Sequence, residues 1–207
     1  MPGERRGKRP DGQARDALLA AAEQLLETRS IGDLTVADVL SAADVSRASF
    51  YFYFASKHDL VVALGEQIVG EVEQAVAPWF DRAELEPADA MRAASRGLVD
   101  VWERHGAVLR AIAESWHASP ELGDLWGGFV TRFVSRAGAQ IERERTAGVA
   151  PADGGDPGAL AAALIWMNER ACYVWSSGAE PELGDAETVA ETITSIWLRA
   201  VYGSPSV

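Results

Sequence analysis

Five aromatic residues in a row, Phe50-Tyr51-Phe52-Tyr53-Phe54, constrain this chain more than any other feature. They lie within Val45 to Leu60, VSRASFYFYFASKHDL, between two serine-led helix starts at Ser46 and Ser56. On a helix only residues three or four apart share a face, so these rings cannot all enter one core. Phe50 and Phe54 stand four apart and can point inward together. Tyr51 and Tyr53 must then point largely elsewhere, with Arg47, Ala48, Ser49 and Phe52 on the outward side. A helix held by one edge while it offers hydroxyls, an arginine and small residues outward has the makeup of a DNA recognition helix.

The flanking residues complete a helix-turn-helix. Thr35-Val36-Ala37-Asp38 is a capping box, and Val36, Val39, Leu40 and Ala43 are spaced as one apolar helix face. Asp44 is the turn, and Ser46 caps the recognition helix. Ser56-Lys57-His58-Asp59 opens a long amphipathic helix, predicted over residues 57–79, with Leu60, Val61, Leu64, Ile68 and Val72 on its apolar side. Ahead of these, Asp11 to Glu27 reads as a first helix carrying Leu18, Ala22, Leu25 and Leu26. The pattern predicts a three-helix DNA-binding head over residues 1–60 and a larger domain over 61–207, joined by helix 57–79.

From Thr35 to Leu60 the chain resembles the TetR family of transcriptional regulators. Members carry a Thr-led helix, an A-G-V-S turn, an F-Y-x-Y-F-like aromatic run and an S-K-x-x-L helix start at this spacing. Asp44 departs from the usual turn glycine; the position is commonly left-handed, which Asp tolerates at modest cost. Ser41 departs from an alanine-rich stretch. Further on, Met167-Asn168-Glu169-Arg170, Ser195-Ile196-Trp197 and Val201-Tyr202-Gly203 are similar to the ethionamide-resistance repressor branch of that family. The resemblance implies a homodimer on a double-stranded DNA operator, with an apolar small-molecule effector in the rear domain. It implies DNA contacts at Thr35, Ser46, Arg47, Ala48, Ser49, Tyr51, Phe52, Tyr53 and Lys57. That branch has a second asparagine three residues before the one matching Asn168, where this chain has Ile165, so one hydrogen-bonding arm toward a ligand is lost.

A net charge of -12 looks wrong for a DNA binder until its distribution is considered. Residues 1–60 hold eight Lys and Arg against nine Asp and Glu, which leaves eleven against twenty-two for the rest. The acidity belongs to the rear domain. Arg5, Arg6, Lys8 and Arg9 form a basic arm ahead of the first helix, suited to phosphate or groove contact.

Behind the head the chain reads as helix after helix, with no convincing strand alternation. Pro87 opens one that ends near Gly106, Val108 to Trp116 makes a short one, and Ser119-Pro120 starts a long one that stops at Gly148. After a loop, Asp156-Pro157 starts a helix to Gly178, and Asp185 starts the last, to Gly203. The fold class is therefore all-α, with about nine helices. Helix 157–178 is apolar on more than one face and helix 185–203 carries Val189, Ile193, Ile196, Trp197 and Val201, which predicts a dimer interface between these two and their symmetry mates.

All seven tryptophans lie at or after Trp79. Any one of them is first a core or interface residue, since Trp buries a large area. Their convergence in helices raises a second reading, an aromatic-walled small-molecule site. Its candidate lining is Leu98, Trp102 and Trp116, then Trp126, Phe129, Val130 and Phe133, then Trp166, Met167, Asn168, Cys172 and Trp197. Asn168 is the polar exception in an apolar stretch, and its amide can pair with a ligand.

Other functions are weighed against missing partners. Glu114-x-x-His117 has the spacing of a carboxylate-bridged metal pair, but such sites need two of these motifs plus further inward glutamates, and no second motif is in the sequence. His58 and His105 have no neighbouring ligand set in sequence. Neither G-x-S-x-G nor a phosphate-binding glycine loop occurs, and Gly127-Gly128 reads as a packing feature. A ligand-sequestering bundle or metal enzyme without DNA binding leaves Arg47, Tyr51, Tyr53 and Lys57 unexplained. The expectation is a non-enzyme with no cofactor and no metal. The single Cys172 allows no intramolecular disulfide, and no apolar run reaches membrane length, so a cytoplasmic protein is expected.

Overall fold

The computed structural model describes residues 11–81, 85–117 and 119–203. The basic arm lies outside them. Helix α1 (Asp11–Leu26) buries Leu18, Leu19, Ala22 and Leu26 against the helices that follow. At the start of α2 (Val36–Ala43) the Asp38 amide donates to Thr35 Oγ1 at 3.2 Å, and the Thr35 amide donates back to the Asp38 carboxylate at 3.1 Å. This reciprocal box satisfies two otherwise orphaned amides. The Thr35 hydroxyl, followed by the Arg29 guanidinium at 3.1 Å, holds the Asp38 carboxyl below the usual range.

Asp44 ends α2 in the left-handed region, at φ 52° and ψ 47°, and so turns the chain without glycine. Ser46 then caps α3 (Arg47–Tyr53), accepting from the Ser49 amide at 3.1 Å, and Ser56 caps α4 (Lys57–Phe80), accepting from the Asp59 amide at 3.1 Å. The three caps place a short recognition helix between two tight corners.

Helix α4 is unbroken over 24 residues, about 36 Å at the helical rise, and passes from the head into the rear domain. There it packs on α5 (Pro87–Ser115) and α6 (Pro120–Thr146), while α7 (Pro157–Ser176) lies chiefly on α6 and α8 (Ala186–Tyr202) chiefly on α5. A short 3-10 turn, Pro181–Leu183, precedes α8. One apolar cluster runs from Leu18 through α4 to Val201, so head and rear share a continuous core.

One helix boundary and one helix cap differ from the sequence reading, which ends a helix near Gly106 and takes Ser119 as a capping serine. The described residues form eight α-helices, because Gly106 lies inside one continuous α5. A helical glycine costs about 1 kcal/mol relative to alanine. Here it permits close packing: a Cβ at Gly106 would sit 3.0 Å from Ser176 Cβ on α7. At α6, Ser119 holds the N-cap position but makes no side-chain cap; its hydroxyl donates to the Glu121 carboxylate at 2.5 Å.

His105, with no partner visible in sequence, straps the head to the rear. Its Nδ1 lies 2.5 Å from Glu23 of α1 and its Nε2 lies 3.3 Å from Glu71 of α4, while Arg104 also pairs with Glu71 at 2.5 Å. The Arg104 hydrogen bond is the main cause of the lowered Glu71 pKa.

Candidate DNA-reading head and apolar pocket

Recognition helix α3 is anchored as its spacing predicts. Phe50 is fully buried and Phe54 nearly so, their rings 5.8 Å apart, while Tyr51 and Phe52 are 51% and 73% exposed. Ser46, Arg47 and Ala48 are exposed at the start of α3, and Ser49 is half-buried, its hydroxyl 2.9 Å from that of Ser46. Thr35 is exposed at the first turn of α2. Tyr53 lies half-buried, edge-on to Phe52 at 4.9 Å and packed on the core, so it presents less surface than its neighbours.

Lys57 sits differently from its expected place facing DNA. Its ammonium donates to the carbonyls of Ile31, Gly32 and Leu34 at 2.8, 2.9 and 2.8 Å. All three protons are thereby taken up closing the loop between α1 and α2, leaving none for a phosphate. We expect Lys57→Met to destabilise the head by about 2–3 kcal/mol, within the range for hydrogen bonds to charged groups. Thermal unfolding and the salt dependence of DNA binding together check this. A phosphate contact would lower the salt slope by about 1, whereas a structural tie lowers the melting temperature and leaves the slope alone.

In the rear domain α4, α5, α6, α7 and α8 converge on a cavity of about 80 Å³. Of the residues expected there, Leu98, Trp102, Trp126, Phe129, Val130, Phe133, Asn168 and Trp197 line it. Four others lie elsewhere. Trp116 ends α5 and stacks on His117 at 3.9 Å, Trp166 is 43% exposed on another face of α7, Met167 packs on the core, and Cys172 is fully buried. Burial raises the Cys172 thiol to about 12, so it is an inert packing residue. The cavity is smaller than the roughly 150 Å³ that admits benzene in an engineered protein core. A ring-bearing guest must therefore displace a wall, and Phe129 is only half-buried.

Sequence reasoning missed the α4 wall, Val72, Val76, Trp79 and Phe80, because those residues read equally well as ordinary core. It also missed Ser95 and Glu169, although a glutamate beside Asn168 in an apolar helix was a usable signal.

The polar groups of the cavity are few and fixed. Trp197 Nε1 donates to Asn168 Oδ1 at 3.0 Å, and Trp79 Nε1 donates to the Tyr202 hydroxyl at 2.9 Å. An indole only donates, so the Asn168 oxygen must face Trp197 and its NH2 remains to donate. Glu169 is 8% exposed with neither carboxylate oxygen hydrogen-bonded, and Ser95 is 3% exposed with its hydroxyl unpaired. Burial raises the Glu169 carboxyl above its ordinary range, and nearby Arg170 offsets part of the effect.

The metal reading gains no support from this geometry. Glu114 accepts a hydrogen bond from the Tyr173 hydroxyl at 2.6 Å, clasping α5 to α7. Among the described residues no three His, Cys, Asp or Glu side chains are grouped to hold an ion, and no helix is long and apolar enough to cross a membrane.

Comparison with known proteins matches both halves. Residues 18–64 match the model for bacterial regulatory proteins of the tetR family, and residues 91–203 match that for the C-terminal domain of transcriptional regulator EthR. The HTH-type transcriptional regulator EthR of Mycolicibacterium smegmatis is 36% identical over 208 residues, covering 98% of this chain and 93% of that one. Its Mycobacterium tuberculosis counterpart is 33% identical over 205 residues, covering 98% and 94%. A putative TetR-family regulator from Syntrophomonas wolfei shares the fold at a TM-score of 0.76 and 16% identity, covering 93% and 97%. With a capped recognition helix in front and an EthR-type helical domain behind, this chain belongs to the TetR family of transcriptional regulators, in its EthR branch.

Proposed function

We propose that the chain is a homodimeric cytoplasmic repressor that leaves a palindromic operator when an apolar small molecule occupies the rear cavity. Residues 1–60 act as the DNA-binding head, and residues 61–207 as the ligand-binding and dimerisation domain. The observation that carries this reading is α4. One end of that single helix is capped beside the recognition helix, and the other supplies Val72, Val76, Trp79 and Phe80 to the cavity. A guest that displaces these walls moves the helix that carries the head. Its effect is limited to its unequal affinity for DNA-competent and incompetent head spacings. Dimerisation uses α7 and α8, whose Trp166 and Ile196 are large apolar side chains left 43% and 38% exposed.

On DNA, Arg47, Ala48 and Phe52 approach the major groove, and Tyr51 meets a phosphate. Operator fragments selected from genomic DNA provide the test. Tyr51→Phe should weaken binding to all of them alike, by about 1.5–3 kcal/mol for one hydrogen bond to a charged group. Arg47→Ala should instead change base preference at one position, by about 1–3 kcal/mol. Unaltered affinity and preference in both variants would remove α3 from the interface. Apolar compounds that raise the melting temperature should weaken operator binding by the same factor with which operator weakens theirs. Operator affinity indifferent to every bound compound would leave a regulator without ligand gating.

A further inference from the structure

We propose that the effector of the rear cavity is an amphiphile with a protonated amine, its ammonium held by Glu169 and Ser95 and its apolar body lodged among the tryptophans. This inference rests on the reading of the cavity as an effector site and replaces a wholly apolar guest with one that is apolar along its body and charged at one end.

The argument begins with an anomaly. A buried polar group without a partner costs free energy, and a buried carboxylate costs more, so each such group calls for an explanation. Glu169 and Ser95, on different helices, open onto one cavity with three oxygen atoms between them that make no hydrogen bond. The lining residues include no Lys, Arg or His. The nearest guanidinium, Arg170, is 3.6 Å from Glu169, beyond hydrogen-bonding distance. It is also 61% exposed and lies 4.6 Å over the Tyr173 ring, so it is engaged outside the cavity.

The remaining walls select the same charge. Seven aromatic rings, Trp79, Phe80, Trp102, Trp126, Phe129, Phe133 and Trp197, line a space with almost no other polar surface. The faces of such rings attract cations, most strongly when water is excluded. A primary ammonium supplies three donors, enough for both carboxylate oxygens and the serine. Charge-assisted hydrogen bonds of this kind are about twice as strong as neutral ones. Burial alone drives Glu169 toward its neutral form, and an incoming cation restores the carboxylate. The free Asn168 NH2 is a separate donor that a carbonyl or ether further along the ligand can use.

The test compares 4-phenylbutylamine with two neutral analogues, 4-phenylbutan-1-ol and 5-phenylpentan-2-one, by calorimetry on the full chain at neutral pH. The amine should bind at least about ten-fold tighter than the ketone, the scale of one charge-assisted contact in a dry site. Glu169→Gln should lower amine affinity by about the same factor and leave the ketone within about three-fold. Ser95→Ala provides a second variant should Glu169→Gln fail to fold, and it should weaken the amine more than the ketone. A ketone that binds as tightly as the amine to wild type would overturn the proposal while preserving the effector site. It would mark Glu169 as a protonated donor. Amine affinity untouched by both substitutions would overturn it equally. If none of the three compounds binds, the effector reading itself falls and takes this inference with it.

Discussion

Phe50→Ala should abolish operator binding while leaving the rear domain folded. Phe50 is the fully buried anchor of α3, in contact with Phe54 at 5.8 Å and with Tyr51 edge-on at 5.3 Å. Removing such a ring costs about 3–5 kcal/mol in transfer energy and cavity formation. A seven-residue helix has no other fully buried side chain to hold it, and helices this short do not survive alone. The two halves can be monitored separately, because every tryptophan lies at or after Trp79. Tryptophan emission and dimer mass should persist through the substitution as gel shifts vanish. Retained operator affinity would show that α3 is held by something other than this ring.

Ile196→Glu should have the second large effect by splitting the dimer. Burying a charge without a partner in an apolar interface costs several kcal/mol, and a symmetric interface suffers it twice. Trp166→Glu should act in the same way. Leu164→Glu should not, since Leu164 is only 5% exposed and faces its own protomer's core, so that variant should unfold rather than dissociate. Sedimentation should show a wild-type dimer at micromolar concentration and a monomer for Ile196→Glu. Operator affinity should then fall steeply, because two linked heads bind with an effective concentration that separate ones lack. A wild-type chain that sediments only as monomer would refute the arrangement.

The two substitutions differ in how the sequence exposes them. Phe50 could be placed inward from the sequence because its neighbours within one turn impose the choice: with Phe54 inside, Tyr51 and Phe52 have no room there. The caps at Thr35, Ser46 and Ser56 are legible for the same reason, as each depends on atoms within four residues, whereas the left-handed Asp44 follows from the family resemblance at that turn. The rear domain followed other rules. Along α7 every side chain from Leu164 to Cys172 is compatible with core, cavity or partner surface, and sequence spacing does not choose among them. Packing does, placing Leu164 and Cys172 in the core, Ile165, Asn168 and Glu169 on the cavity, and Trp166 on the protomer's outer surface.

Long-range contacts account for the remaining differences. Gly106 stays helical because α7 approaches it at Ser176, seventy residues away in the chain. Lys57 closes a loop 23 to 26 residues upstream, and His105 reaches Glu23 across 82. The sequence by itself determined the local geometry of the DNA-reading head, since capping and helix faces are settled by near neighbours. Only the tertiary structure decided which rings enclose the cavity and left Glu169 and Ser95 without hydrogen bonds within it. Those outcomes depend on how five helices, distant in sequence, share one volume.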